Sequence, residues 1–183
     1  MLPAVPKLKG KKSLLIDENG NKYIDAVSSW WVNIHGHGNK FIAKKVYEQA
    51  KNLEQVIFTA FTHEPAVTLA ENLLSVLPGN FSKIFYTDDG STATEVAIKL
   101  SLQYWKNVGN NNRSKILAFY NSYHGDTFGA MSVSERGIYT AAFEGKLFDV
   151  LFIDTPNREN IDQLKNEIEK YKEEIVCFIY EPL

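Results

Sequence analysis

The stretch FYTDDGSTATEVAIKLSLQYW, residues 85–105, decides the fold that this sequence predicts. It opens on the apolar pair Phe85 and Tyr86, turns at Gly90, and continues as an amphipathic run of about four helical turns. A β-strand would therefore end before the turn, and a helix would begin at Ser91. The first backbone N–H groups of a helix lack partners within the helix and attract anions. Gly90 and Ser91 either form only a turn or hold a phosphate.

Strands and helices alternate along the chain after this stretch. Short runs rich in Val, Ile and Phe are separated by helical patterns, which is typical of βαβ units and of a parallel sheet covered on both faces. The predicted fold class is therefore α/β. The segments are the strands KILAFYNS, DVLFID and IVCFIYEPL, the helix from 91, the helix NIDQLKNEIEKYKEE, and a loop near 121–147.

The N-terminal third of the chain has a different pattern. Two short apolar runs flank Asn19-Gly20, a dipeptide typical of the type I′ turn, in which both central residues need positive φ. This predicts a β-hairpin. Helical spacing in KFIAKKVYEQAKNL and in THEPAVTLAENLLSVLPG predicts two helices, the second with Pro65 in its first turn.

The composition argues against several classes of function. The formal net charge of the 183 residues is −2, with Lys and Arg dispersed among Asp and Glu, so nothing favours nucleic acid as a partner. No run approaches the roughly 20 apolar residues of a membrane span, and the N-terminus lacks the apolar core of a signal peptide. These features predict a cytoplasmic protein. The single cysteine, Cys177, lies in the apolar run IVCFIY and is expected in the core.

Two groups of residues follow strands, where ligands of open α/β sheets bind. The first is the turn with Gly90 and Ser91, which matches neither a Walker A loop nor GxGxxG and could serve only as a helix cap. The second is the loop NSYHGDTFGAMS, where Tyr123 and His124 could stack on a flat heteroaromatic ligand. The alternative for Tyr123 is a buried ring beside a turn.

Trp30 and Trp31, directly after the predicted hairpin, leave a similar choice. They belong either to the core or an oligomer interface, or to the wall of a substrate pocket. The four histidines, among them His35 and His37, are not accompanied by HExxH or by a facial set of carboxylates, so no metal is predicted. No GxSxG elbow of a serine hydrolase is present.

Three motifs together point to a known family. SSWWVNIHGHGN, DDGSTATEVAIKLSLQYW and YHGDTFGAMSVS, in this order, resemble the class III (subgroup II) pyridoxal-phosphate-dependent aminotransferases of fold type I. The paired tryptophans and the LQYW ending of the helix are most similar to the branch that acts in biotin synthesis. The resemblance runs from GNKYIDAVSSWW to IYEPL and covers nearly the whole chain.

The resemblance implies a cofactor, pyridoxal 5'-phosphate, and a role for each motif. Tyr123 would pack on the pyridine ring and face the substrate, while Trp30 and Trp31 would line the substrate pocket. The implied reaction transfers an amino group from S-adenosylmethionine to 8-amino-7-oxononanoate and gives 7,8-diaminononanoate, in a homodimer. The implied cofactor-binding residues, which include the phosphate-holding Gly-Ser pair, are Gly90, Ser91, Tyr123, His124 and Gly125.

The sequence departs from the family pattern in two ways. HGHGNKFI stands where the family commonly has Asn-His-Pro before a helix, which we expect to alter only the local turn. The family's Schiff-base lysine, and the aspartate that pairs with the pyridine nitrogen, would lie beyond residue 183. We therefore expect no catalytic residue in this chain and interpret it as an inactive N-terminal portion of the enzyme.

The predicted domains follow from the same resemblance. Residues 1–60 would form a small-domain segment with the hairpin, the Trp-Trp loop and a helix. Residues 61–183 would form the first part of the large cofactor-binding domain. Two alternatives stay open: another class III transaminase that acts on an ω-amino acid or amine, and a non-catalytic half-domain that binds a partner chain or an anion.

Overall fold

The computed structural model describes residues 8–182 of the chain. The first seven residues, which bear on the expectation that there is no signal peptide, and Leu183 lie outside the described residues. The chain forms two compact units, Met1–Lys83 and Ile84–Leu183. The sequence-based domain boundary after residue 60 stays a prediction. No helix among the described residues is both long enough and apolar enough to cross a membrane.

The first unit begins with a three-stranded antiparallel sheet. Its strands are β1 (Lys9–Lys11), β2 (Leu14–Ile16) and β3 (Lys22–Ile24). The spatial order is β1-β2-β3, and Leu15 lies opposite Tyr23 in the hairpin of β2 and β3. The predicted hairpin is confirmed. The sequence pattern does not predict β1, because its residues KGK show no apolar alternation.

The hairpin turn differs from the predicted type I′ turn. Gly20 N donates to Asp17 O at 3.1 Å, and Gly20 has a φ of 84°. Asn19 is not among the described non-glycine residues with positive φ, so the type I′ prediction is wrong. The Asp17 carboxylate explains the difference. Its Oδ1 accepts from the N–H groups of Asn19 and Asn21 at 2.9 and 2.8 Å, which stabilises a three-residue loop.

Both predicted helices of the first unit are confirmed. They are α1 (Lys40–Asn52) and α2 (Glu64–Val76). Asn39 caps α1 by accepting from the N–H groups of Phe41 and Ile42, so HGHGNKFI gives a regular helix start. His63 caps α2 through its ring nitrogen Nδ1, and Pro65 lies in the first turn.

The second unit contains a parallel sheet with helices on both faces. Its elements in chain order are α3 (Gly90–Asn107), β4 (Lys115–Phe119), α4 (Phe128–Val133), β5 (Val150–Ile153), α5 (Ile161–Tyr171) and β6 (Ile175–Ile179). The spatial order of the strands is β5-β4-β6, with both pairings parallel. The predicted α/β class is confirmed.

Alternate residues of the central strand β4 face two separate apolar clusters. Ile116 and Ala118 pack with α3 and with Val133 of α4, and Cys177 lies at the margin of this cluster. Leu117 points the other way and packs with α5. Burial raises the pKa of the Cys177 thiol, which keeps the thiol protonated. The sheet is thus covered on both faces. The edge where its strands begin and the edge where they end remain for other contacts.

Two predictions for the second unit are wrong. Phe85 and Tyr86 do not form a strand, since no β ladder includes them in the part of the chain that the structure describes. A strand needs a neighbour to receive its backbone hydrogen bonds, so an apolar run alone does not create one. The predicted loop at 121–147 contains α4 and a 3₁₀ turn at Ala141–Phe143, because Gly129 to Val133 are buried against the sheet.

Trp105 fastens the end of α3 to β6. Its indole N–H donates to Val176 O at 2.7 Å, and the Arg113 guanidinium lies 3.9 Å from the centroid of its ring. Arg113 Nη1 donates in turn to Lys172 O and Ile175 O at 2.7 and 2.6 Å. This cluster lies where β4 and β6 begin, at the edge opposite to that where ligands of α/β sheets bind. The LQYW ending therefore serves the fold.

Replacing Trp105 with Phe should lower the free energy of unfolding by about 1–2 kcal/mol, because Val176 O loses its donor while most ring packing stays. The measurement is the urea midpoint of the full-length protein. Tyr104→Phe, at the exposed neighbouring ring, is the matched control and should leave the midpoint unchanged. Equal midpoints for both variants would show that the indole hydrogen bond contributes no stability.

Candidate functional site

Helix α3 begins with a complete capping box. Asp89 Oδ1 accepts from Thr92 N at 2.8 Å, and Thr92 Oγ1 accepts from Asp89 N at 3.2 Å. The N–H groups of Gly90 and Ser91 have no acceptor among the described residues. An 18-residue helix therefore starts with two free donors at the positive end of its dipole, an arrangement that favours an anion.

Gly90 keeps this helix end open. A Cβ atom added there would meet no heavy atom within 4 Å, and Gly90 does not have a left-handed backbone. Neither packing nor backbone conformation requires glycine at this position. The missing side chain instead leaves room for a ligand to reach the two free N–H groups.

The loop after β4 lies directly against this helix end. Gly125 has a φ of 126°, and a Cβ added there would lie 2.2 Å from Ser91 Oγ, so only glycine fits. Asp126 N donates to Ser91 Oγ at 3.1 Å, and Thr94 Oγ1 donates to His124 O at 3.1 Å. Because the Ser91 hydroxyl accepts from Asp126, its own proton stays available for a ligand oxygen.

Glu95 fastens the next part of the same loop. Its Oε1 accepts from Thr127 Oγ1 at 2.6 Å and from Gly129 N at 2.7 Å. A Cβ atom added at Gly129 would lie 2.2 Å from Glu95 Oε2, so the carboxylate uses the space that this glycine leaves. Glu95 thus joins α3 to the start of α4 and holds the loop in place.

Tyr123 is anchored at both ends and remains 49% exposed. Its hydroxyl donates to Asp126 Oδ2 at 2.8 Å, and its backbone N–H donates to Glu181 Oε2 at 3.0 Å. The hydrogen bond to Asp126, and secondarily burial, raise the pKa of the Tyr123 hydroxyl, so it stays protonated near neutral pH. The ring therefore has a fixed position and a free surface, which excludes the alternative of a buried ring.

His124 is fixed through its backbone. Its N–H donates to Ser134 Oγ at 2.9 Å, and Ser134 Oγ donates to Ala130 O at 2.7 Å. The ring atom Nε2 is buried and has no hydrogen-bond partner among the described residues. Burial lowers the pKa of the His124 imidazole, against a smaller opposite effect of the Glu181 charge, so the ring is neutral near pH 7.

Trp30 and Trp31 lie in the first unit on a left-handed turn. The φ angles of Ser28, Ser29, Trp30 and Trp31 are 50°, 49°, 64° and 67°. Left-handed helical conformation costs an L-residue roughly 1–2 kcal/mol, so this turn is strained. The two tryptophans are 73% and 72% exposed, so they are not core residues of the described chain.

The second unit brings the predicted cofactor residues into one cluster at the start of α3. Trp30 and Trp31 belong to the other compact unit, and their role in a pocket stays a prediction. Among the described residues, no three His, Cys, Asp or Glu side chains lie close enough to hold a metal ion. The clustered residues are Gly90, Ser91, Tyr123, His124 and Gly125.

A model of the aminotransferase class-III family matches residues 2–183. The chain belongs to this family. It is similar to the adenosylmethionine-8-amino-7-oxononanoate aminotransferase of Synechococcus elongatus, with 50% identity over 149 residues. That match covers 81% of this chain and 35% of the relative.

Solved structures of class III transaminases share the fold of this chain. The adenosylmethionine-8-amino-7-oxononanoate aminotransferase from Methanocaldococcus jannaschii has a TM-score of 0.87 at 36% identity, over 93% of this chain and 39% of that one. A PLP-bound amine transaminase from an uncultivated Pseudomonas species has a TM-score of 0.87 at 26% identity, over 100% and 47%. The chain thus spans less than half the length of these relatives. The predicted transferase fold is confirmed.

Four carboxylates bind the loops and turns that contain the candidate residues of this class III chain, and motif reasoning does not predict these carboxylates. Two of them have a positional signal, because Asp126 lies in the same loop as Tyr123 and Glu181 follows β6 at the edge where ligands bind. Glu95 has no such signal, because its partner Thr127 lies 32 positions further along the chain. Asp25 has none either, because it acts on the turn before Trp30, where it accepts a hydrogen bond from Ser29 N. The carboxylates are Asp25, Glu95, Asp126 and Glu181.

Gly125→Ala should destabilise the second unit by about 2–3 kcal/mol or more, because the new Cβ would overlap Ser91 Oγ on a backbone with positive φ. Thermal unfolding of the full-length protein measures the loss. Gly137→Ala is the matched control, since a Cβ there meets no heavy atom within 4 Å and needs no left-handed backbone. A Gly125 variant as stable as the Gly137 variant would contradict the close contact.

Proposed function

We propose that the full-length protein to which this chain belongs is a pyridoxal-phosphate-dependent aminotransferase that transfers an amino group from S-adenosylmethionine to 8-amino-7-oxononanoate, giving 7,8-diaminononanoate for biotin synthesis. Family membership and 50% identity to a relative with that name support the proposal. The proposal includes a cytoplasmic homodimer, in keeping with the resemblance to fold type I enzymes.

The open start of α3 carries the proposal. Two free N–H groups, the Ser91 hydroxyl proton and the helix dipole converge where Gly90 leaves room for a ligand. A phosphate group would gain charge-assisted hydrogen bonds there, with about 0.3–1 kcal/mol more from the dipole. Tyr123, in the loop that contacts Ser91, offers a half-exposed ring for a flat heteroaromatic group. These residues fit pyridoxal phosphate.

The chain's residues bind and orient this cofactor. When bound, pyridoxal phosphate supplies an electron-withdrawing ring that stabilises the charge developing on the substrate carbon. Gly90 and Ser91 hold the phosphate, and Tyr123 packs against the ring while Asp126 holds its hydroxyl in place. His124 is neutral near pH 7 and adds no charge to the surroundings of the phosphate.

The choice of amino acceptor rests on the paired tryptophans. Trp30 and Trp31 expose their rings, which suits them to line a pocket for the apolar chain of 8-amino-7-oxononanoate. A second candidate function is that of an amine transaminase, which the 26% identical Pseudomonas structure supports. The higher identity to the Synechococcus and Methanocaldococcus proteins favours the oxononanoate.

Gly90→Asp tests the phosphate site. The new carboxylate has open space and favours the start of a helix, so the protein should fold normally. Its charge should oppose the phosphate and raise the Kd for pyridoxal phosphate about 100-fold or more. The measurement is an absorbance titration of the full-length apoprotein. Gly137→Asp places the same charge at another open glycine and should bind normally. If Gly90→Asp binds as tightly, the phosphate lies elsewhere.

Trp30→Ala tests the substrate assignment. It should raise the KM for 8-amino-7-oxononanoate about tenfold or more, since a large aromatic contact is lost, and leave the Kd for pyridoxal phosphate unchanged. Val32→Ala, at an equally exposed neighbour, is the control. Equal losses in substrate and cofactor binding would indicate a structural tryptophan. Wild-type turnover of simple amines without turnover of the oxononanoate would favour the amine transaminase.

A further inference from the structure

The backbone conformation of the turn that contains Trp30 and Trp31 is intrinsically unfavourable, so other contacts must stabilise it. Two backbone hydrogen bonds close this turn, from Trp31 N to Val27 O at 2.8 Å and from Asn33 N to Ser28 O at 3.0 Å. Four successive non-glycine residues from Ser28 to Trp31 have positive φ. Such a run persists only where surrounding contacts determine it.

The Asp25 carboxylate supplies those contacts. Its Oδ1 accepts from Ser29 N at 2.9 Å, and its Oδ2 accepts from Ser29 Oγ at 2.7 Å. The same Oδ2 lies 2.7 Å from His37 Nε2. The hydrogen bonds from Ser29, and then from His37, lower the pKa of Asp25 to about 2, so the carboxylate is ionised and only accepts. His37 must therefore carry its proton on Nε2 and donate it to Asp25.

His37 is itself fixed on the sheet. Its backbone exchanges two hydrogen bonds with Lys12, at 2.9 and 2.8 Å. A Cβ atom added at Gly10 of β1 would lie 2.5 Å from His37 Cβ, so the histidine packs directly on the backbone of that strand. Asp25 N also donates to Ser13 O at 2.9 Å. The sheet thus fixes Asp25 and His37 in place, and the hydrogen bonds of Asp25 stabilise the turn.

We propose that Asp25 and His37 are positioning residues that hold the left-handed turn and so determine how Trp30 and Trp31 meet the amino acceptor. This inference rests on the proposed function, in which the tryptophans line the substrate pocket. Both indoles are largely exposed, so packing of the rings within the described chain does not fix their positions. A turn released from Asp25 would relax to right-handed backbone and move both rings, and a displacement of about 1 Å is sufficient to weaken an oriented contact severely.

The test compares three variants of the full-length holoenzyme. His37→Leu keeps an apolar group of similar size without a donor, whereas His37→Gln restores an N–H at the reach of Nε2. His35→Leu is the matched control at an exposed histidine two positions away. His37→Leu should lower kcat/KM for 8-amino-7-oxononanoate about 10- to 100-fold, mainly through KM, with an unchanged Kd for pyridoxal phosphate. His37→Gln should recover most of the loss, and His35→Leu should resemble wild type.

Near-ultraviolet circular dichroism gives a readout that does not depend on turnover. The tryptophan band reports how rigidly indoles are held, since a mobile ring gives a weak signal. Trp105 lies in the other compact unit and should contribute equally in every variant, so the band should weaken in His37→Leu, but not in His37→Gln or His35→Leu, through Trp30 and Trp31. Ser29→Ala, which removes one hydrogen bond to Asp25 from an exposed residue, should cause a smaller loss in the same direction. This variant keeps the test valid if His37→Leu does not fold.

Three results would overturn the inference. They are an unchanged tryptophan band and KM in His37→Leu and Ser29→Ala, an equal loss of cofactor and substrate binding, and no recovery in His37→Gln. Failure of the proposed function gives a different result. The wild type would then not use the oxononanoate, while the tryptophan band would still respond to His37→Leu and Ser29→Ala.

Discussion

A backbone without a side chain at Gly125 lets the loop after β4 lie against Ser91, at a place where a Cβ would be 2.2 Å from the serine oxygen. This approach brings Asp126 N within hydrogen-bond distance of Ser91 Oγ. Asp126 in turn holds the hydroxyl of Tyr123. The helix start and the aromatic ring therefore share this contact, and a change of conformation at Gly125 would move both.

The two edges of the parallel sheet have separate tasks. At the edge where the strands begin, Trp105 and Arg113 donate to backbone carbonyls at the start of β6 and just before it, and they fasten this strand to the core. At the opposite edge, Glu95 accepts a hydrogen bond from Thr127 and Glu181 accepts one from Tyr123, and both carboxylates hold the loop after β4 beside an open helix start. The residues that hold both edges leave the N–H groups of Gly90 and Ser91 without an acceptor in the described chain, so these two donors stay free although the surrounding loop is fixed.

Local periodicity predicts most of this fold, and the failures arise where a remote or competing partner decides. The apolar run of β4 correctly predicts a strand of a sheet that is covered on both faces, since Ile116 and Leu117 are both buried but face different clusters. Phe85 has an equally apolar pattern but no neighbouring strand among the described residues. Asn19-Gly20 lies in a hairpin as predicted, but the Asp17 carboxylate selects a wider loop. A prediction from the Asn-Gly dipeptide alone does not include the effect of the neighbouring Asp17 side chain.

The candidate site shows the same limit. The motif predicts Gly90, Ser91 and Tyr123 as a group, and the structure places them in one cluster. It does not predict Glu181, which lies 58 positions from Tyr123 and meets it only because both follow neighbouring strands. Contacts of this kind depend on strand order, which the sequence pattern leaves undetermined.

Backbone conformation and packing show which glycines the fold requires. They also show that Trp30 and Trp31 occupy a conformation that is unfavourable for them. Gly125 is required by packing, whereas nothing in the described chain requires Gly90, and the open space at Gly90 supports the proposed phosphate site. The turn at Trp30 and Trp31 presents the converse case. Its positive φ angles suit glycine, yet two large aromatic residues occupy it at an energetic cost. Because both rings are exposed, their own packing does not offset that cost, and the hydrogen bonds from Ser29 to Asp25 hold the turn instead. The proposed role in substrate binding gives the strain a reason.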